Sequence, residues 1–226
     1  GRGELLKFGG QVMKNVAGYD VSRLMAGAFG TLGTLLEVSL KVLPLPAASC
    51  TVIHEYSPTQ AIDKMSELRS RAVPLDAVCY HAGQCYFRIS GSEQGVHHAQ
   101  VLLGGEVLPH PETFWCKLRE HQLHFFDSNK PLYRIVVKPN TPPISINGDW
   151  LLDWAGAQRW LISEVPIEKI RAVIAASGGH VTAWRNADRN EVFQPLAAPL
   201  LALQQGIKRS FDPNNIFNRG RMYAEI

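Results

Sequence analysis

Apolar positions along the chain follow two periods. Period-two alternation runs over 38–42, where Val38, Leu40 and Val42 are separated by Ser39 and Lys41, and Pro44 and Pro46 close it. It predicts a strand. Further strands are predicted over 51–56, and over 77–80 and 85–89 as a hairpin about His81-Ala82-Gly83-Gln84. Helical spacing predicts a helix over 59–72, with Ala61, Met65, Leu68 and Ala72 on one face. A second helix is predicted over 93–103, stopped by Gly104-Gly105.

The pattern then repeats more loosely. Strands are predicted over 134–138, 151–154 and 160–164, a helix over 168–176 with Ile170, Val173 and Ile174 inward, and a closing strand over 181–184. Two βαβ-like rounds with antiparallel hairpins imply a ferredoxin-like α+β layer. A last helix carries Leu196, Leu200, Leu203, Ile207 and Phe211 on one face, and Asp212-Pro213-Asn214-Asn215 stops it.

Bulk properties narrow the function classes. The 226 residues are 46% hydrophobic with net charge +3, and basic residues are scattered rather than interleaved with aromatics, which argues against nucleic-acid binding. No stretch reaches the ~20 apolar residues of a membrane span. Cys50, Cys79, Cys85 and Cys116 lack metal-site spacing and are expected to be reduced thiols of a cytoplasmic protein, with Cys79 and Cys85 able to approach across their hairpin.

The densest chemical signal lies in the stretch before the first proline pair, where Gly9, Gly10, Gly18, Gly27, Gly30 and Gly33 accumulate, with Ala28 beside them. Glycine at this density permits tight turns and close backbone approach. Successive free N–H groups make a concave site for anionic oxygens, so a phosphate-bearing cofactor is expected here.

The wording of this segment (KN-x-AGYD, RL-x-x-GA-x-GTLG, then E-x-x-L-x-x-x-P) resembles the FAD-binding domain of the vanillyl-alcohol-oxidase-like flavoproteins. FGGQVMKNVAGYDVSRL is most similar to the FAD-binding (E) subunits of bacterial glycolate oxidases, and FDPNNIFNRGR resembles the tail that returns to the flavin domain, with Arg219 in place of a proline. The resemblance implies FAD as cofactor, contacted by Asn15, Gly18, Gly27, Ala28, Gly30, Thr31, Gly33, Glu37, Val38 and Asn218. It implies three segments: the second half of a FAD domain over 1–46, an α+β cap over 47–190, and a returning tail over 191–226. The family's first phosphate loop is not found in this sequence, so a fragment is expected, inactive by itself.

The implied activity is oxidation of a small 2-hydroxyacid such as glycolate. The implied partners are a homologous catalytic flavin subunit and an iron–sulfur subunit, through which the complex lies on the inner face of the plasma membrane. A non-catalytic assembly or electron-relay subunit, and a free-standing oxidase of another alcohol or sugar acid, are the alternatives.

A substrate carboxylate calls for an arginine fork, and Arg159, Arg134, Arg219 and Arg221 are candidates, Arg159 first. His180, at a helix–strand junction, is the candidate general base. No metal site is expected: His97 and His98 would diverge on a helix, and His121 and His124 beside Glu120 read as surface. Trp150, Trp154, Trp160 and Trp184 read as core or subunit-interface residues, with stacking on a flavin ring as the alternative.

Overall fold

The computed structural model describes residues 1–9, 20–71, 73–190 and 192–226. They form two units, Gly1–Leu43 with Pro195–Ile226, and Pro44–Gln194.

In the first unit, Asp20 caps a short helix α1 (Val21–Met25), its carboxylate accepting from the Arg23 amide at 3.0 Å. The glycine loop follows. The expected strand over 38–42 is coil, with Leu40 81% exposed, because no strand among the described residues pairs with it.

The second unit is one antiparallel sheet. It begins with β1 (Ala48–Glu55), α2 (Pro58–Ser70), β2 (Leu75–His81), β3 (Gln84–Gly91), α3 (Glu93–Leu103) and β4 (Glu106–Val107). Ser57 and Gln60 exchange side-chain and backbone bonds in a capping box at the start of α2, and Ser92 caps α3. α2 buries Ala61, Met65 and Leu68 as expected, and also Ile62; Ala72 lies outside the described residues.

An unpredicted helix α4 (Pro111–Arg119) comes next, then a 3₁₀ turn over His124–Asp127. Pro111 at its first turn starts α4, and Trp115 and Leu118 are its only buried residues, a stripe too short to read from period alone. The chain continues through β5 (Leu132–Val136), β6 (Asp149–Asp153), a 3₁₀ turn over Trp154–Gly156, β7 (Gln158–Ile162), α5 (Ile167–Ala176) and β8 (His180–Arg185).

The strand order β4-β1-β3-β2-β6-β7-β5-β8 decomposes into two like halves. The first is a complete βαββαβ unit with order 4-1-3-2, the ferredoxin-like arrangement expected. Reading β5, β6, β7 and β8 as the four strands of the second half gives the same order in mirror sequence along the sheet. The halves meet between β2 and β6, antiparallel, with Tyr80 opposite Leu152 and His81 opposite Leu151. One element is missing: where the first half crosses over through α2, the second uses the segment 137–148, whose Pro139, Pro142 and Pro143 forbid a helix.

Alternation along the strands separates two faces. One carries α2 and α3 over Val52, Val78, Phe87 and Ile89, and α5 over Ile135, Leu161 and Val181, with Trp150 packed against both groups. Val173 of α5, expected inward, is instead exposed. The opposite face packs α4 and the first 3₁₀ turn onto Cys79, Leu151, Trp160 and Ile162. Cys79 and Cys85 therefore point to opposite faces, each with its thiol pKa raised by burial.

The chain returns to the first unit through α6 (Ala198–Phe211). Its expected apolar face is largely open, with Leu200 and Leu203 exposed and Lys208 its only buried residue. Among the described residues no helix is long and apolar enough to cross a membrane.

Leu151 is fully buried beside the β2–β6 seam. Leu151→Ala is expected to destabilise this unit by about 2–5 kcal/mol, since the cavity forms where the two halves meet. Urea unfolding followed by far-UV circular dichroism measures it.

Candidate functional site

The glycine loop is held by its carbonyl oxygens. Thr31 donates to the Ala28 carbonyl from both its amide, at 2.9 Å, and its hydroxyl, at 2.7 Å. The Phe29 carbonyl accepts from Asn218 Nδ2 at 2.7 Å, and the Thr31 carbonyl from Lys208 Nζ at 2.7 Å. The backbone N–H groups of Gly30, Leu32 and Gly33 carry no hydrogen bond among the described residues. Carbonyls drawn inward and amides left free are what an anionic ligand needs.

Gly30 has φ +71°, and a Cβ there would lie 2.7 Å from Asn218 Nδ2, so glycine is required by conformation and by space. Gly33 differs: nothing lies within 4 Å of an added Cβ. Gly27, at φ +79°, turns the chain into the loop, and the Thr31 hydroxyl is buried and spent internally. Glu37 and Val38 lie in exposed coil, and Asn15 and Gly18 lie outside the described residues.

The anchor of the loop was missed in the sequence. Lys208 Nζ donates to the carbonyls of Thr31 and Phe217 and to Asp212 Oδ2, the last at 2.8 Å. Asp212 also accepts from the Phe217 amide at 2.8 Å and from the Gly1 nitrogen at 2.8 Å. Burial by itself would raise the Asp212 pKa; the bonds from Lys208, the Gly1 nitrogen and Phe217 outweigh it and hold the carboxyl well below the usual range. A lysine four residues before an aspartate, at the end of the last helix, was the available signal.

The cap-half candidates separate. Arg159 is 1% exposed, and its guanidinium donates to the carbonyls of Gly156 at 3.1 Å, Pro142 at 2.9 Å and Thr141. It projects onto the helical face, opposite Ile135 and Leu152 in register, so it supports the proline-rich crossover rather than clamping a substrate. Burial lowers its pKa to about 10, which leaves it cationic at neutral pH.

Arg134 and His180 come together on the other face. The His180 residue is exposed overall, but its ring is partly desolvated, and that and then the Arg134 charge lower its pKa, so the neutral imidazole dominates at neutral pH. Arg219 and Arg221 are exposed in the tail. His121 is not simple surface: its ring stacks on Phe126 at 4.2 Å and meets Trp160 edge-on at 4.6 Å. Among the described residues, no cluster of His, Cys, Asp and Glu could hold a metal ion.

No family model matches the chain. Over all 226 residues it is 43% identical to glycolate oxidase subunit GlcE of Escherichia coli K12, and it spans 63% of that protein. A 54-residue segment is 41% identical to glycolate oxidase subunit GlcD of Bacillus subtilis, covering 24% of this chain and 12% of that one. Over 54 residues the chain is 43% identical to a D-lactate dehydrogenase of Anaerostipes hadrus, 24% and 11% of the two chains. The resemblance to the glycolate oxidase E subunit thus holds along the whole chain.

Two outcomes test the assignments above. Arg159→Met is expected to destabilise the cap unit by about 3–5 kcal/mol, because it orphans buried carbonyls, while leaving the ligand affinity of the folded fraction unchanged; urea melts with a binding titration measure both. Lys208→Met is expected to destabilise the loop unit by a similar amount. Since the folded pKa of Asp212 is depressed, the wild-type stabilisation is fully present above about pH 4 and is lost as pH falls toward the folded value. Lys208→Met should flatten that acid slope in unfolding curves taken across pH.

Proposed function

We propose that this chain, related over its whole length to the glycolate oxidase E subunit, is the part of such a subunit that holds FAD through its glycine loop and carries the cap. The observation behind this reading is the free amides of Gly30, Leu32 and Gly33 above a loop whose carbonyls are bound by Lys208 and Asn218. These residues fit a diphosphate: the amides would donate to its oxygens, and Gly33 leaves room for close approach.

FAD, when bound, supplies the acceptor for the hydride leaving the carbon that bears the substrate hydroxyl. This chain's contribution is to hold and orient that cofactor through the glycine loop. The substrate is a small 2-hydroxyacid, glycolate by the names of the relatives. The partners are a homologous flavin subunit of the GlcD kind and an iron–sulfur subunit that takes the electrons onward. The complex is cytoplasmic and meets the membrane through those partners.

A second reading, an assembly or electron-relay subunit that binds flavin without turning over substrate, is favoured by the burial of Arg159, which removes the first candidate clamp.

Gly30 and Gly33 distinguish a cofactor cradle from a structural turn. In the full-length subunit, Gly33→Val is expected to lose flavin while keeping the melting temperature of flavin-stripped wild type, because its Cβ meets only space that a ligand would fill. Gly30→Val is expected to lose flavin and about 1–3 kcal/mol of stability, from strain at positive φ and the Asn218 clash. Flavin absorbance per protein, read beside thermal melts, decides. Full occupancy in Gly33→Val would overturn the cradle.

A further inference from the structure

We propose that the open sheet face around Arg134 binds a small planar carboxylate. The site lies wholly within Pro44–Gln194, and it stands or falls independently of flavin.

Arg134 rises from β5 on the face away from α2, α3 and α5, opposite Trp160 and Thr182 in register. It is fixed from three sides. Its Nε donates to Gln158 Oε1 at 2.6 Å, and Gln158 in turn donates to Asp153 Oδ2 at 3.3 Å. Its guanidinium carbon lies 5.5 Å from the Trp154 ring and 5.9 Å from the Trp184 ring. The two terminal nitrogens carry no hydrogen bond or ion pair among the described residues. These are the nitrogens that form the fork matching a carboxylate.

The first half of the sheet contains a comparable arrangement with its anion supplied from within. Arg88, on the same face, lies 4.9 Å over the Trp115 ring and is ion-paired with Asp76 at 2.7 Å. No carboxylate of the described residues pairs with Arg134.

The walls define the ligand class. Trp154 is 61% exposed and Trp184 50% exposed, so two large rings flank the fork and face solvent. Flat walls favour a flat anion, and covering them removes apolar area from water. His180 and Thr182 of β8 provide polar groups at the rim, on the same face as Arg134. Asp153 also lies nearby, but its carboxyl is bonded to Gln158 and to the Trp154 amide, an orientation that turns the Gln158 oxygen toward Arg134.

Oxalate, planar and without an oxidisable C–H bond, is the probe, and the flanking tryptophans are the reporters. The full-length subunit titrated at constant ionic strength should show a saturable change in tryptophan emission at millimolar oxalate or below. Arg134→Gln should weaken that affinity at least tenfold, roughly the loss of a bidentate charged contact. Arg134→Lys keeps a cation without the fork and should also bind more weakly, which guards against misfolding of the first variant. Trp184→Phe should retain affinity with a smaller emission change. An emission response no greater than that to chloride, or unchanged affinity in Arg134→Lys, overturns the proposal. So does tight binding of a glutamate-rich peptide where oxalate fails, which would make the surface a protein contact.

Discussion

Cations donating to backbone carbonyls, three of them buried, hold several irregular stretches among the described residues. Lys208 takes the carbonyls of Thr31 and Phe217, Arg159 those of Gly156, Pro142 and Thr141, Arg171 that of Phe193, and Arg185 that of Phe126. The cause is backbone accounting. A segment that is neither helix nor strand must still satisfy its C=O groups when it is covered, and a long cationic side chain reaches several at once. In the loop unit this matters most, because the described residues bury little apolar surface there: Leu32 and Ile226 against Thr31, Lys208 and Asp212. The glycine loop takes its shape from a polar clasp rather than from a hydrophobic core.

The cap follows a different rule. Its two halves repeat one strand order, and each buries apolar side chains on the helix-bearing face. The difference between them is a crossover. Where α2 satisfies its own carbonyls, the proline-rich crossover cannot, and Arg159 does so from the neighbouring strand. A residue that looks like a carboxylate clamp in the sequence is therefore consumed by the architecture, and Arg134, two strand positions from Leu132 in the aromatic core, is the candidate of this unit left half-buried on the other face.

Period and punctuation made much of the cap legible in the sequence. Ser57 and Ser92 before their helices, Gly104 after the second and the alternation at 85–89 all act locally, so the elements they mark could be read. Strand ends slipped by two residues at β5 and β7, where burial on both faces erases alternation; all five residues of β7 are buried. α4 was missed because only two of its residues are inward. The glycine loop was legible because its chemistry is contiguous. Lys208 and Asp212 were not, since what buries them is a carbonyl more than 170 positions away in sequence. Arg159 and Arg134 differ only in which face of the sheet they take, and a single-residue shift in register exchanges those faces.

The duplicated sheet also explains why one face of the cap is dressed unevenly. α4 and its following turn cover the face from β1 across to β7, and they do so through rings: Phe114 stacks on Tyr86 at 4.0 Å, and Trp115 donates to Thr51 at 3.0 Å. Beyond them, over β5 and β8, the covering element ends at Phe126, and Trp160 hands the aromatic chain on to Trp184 at 5.3 Å. From there outward no helix follows among the described residues, and the surface consists of Trp184, Arg134 and Trp154. Folding does not require this composition at the rim of a sheet, because an exposed tryptophan gains nothing from solvent and a lone arginine could be any polar residue. The side chains are nonetheless fixed by hydrogen bonds and ring contacts, as a recognition surface must be if binding is not to spend its energy on ordering them.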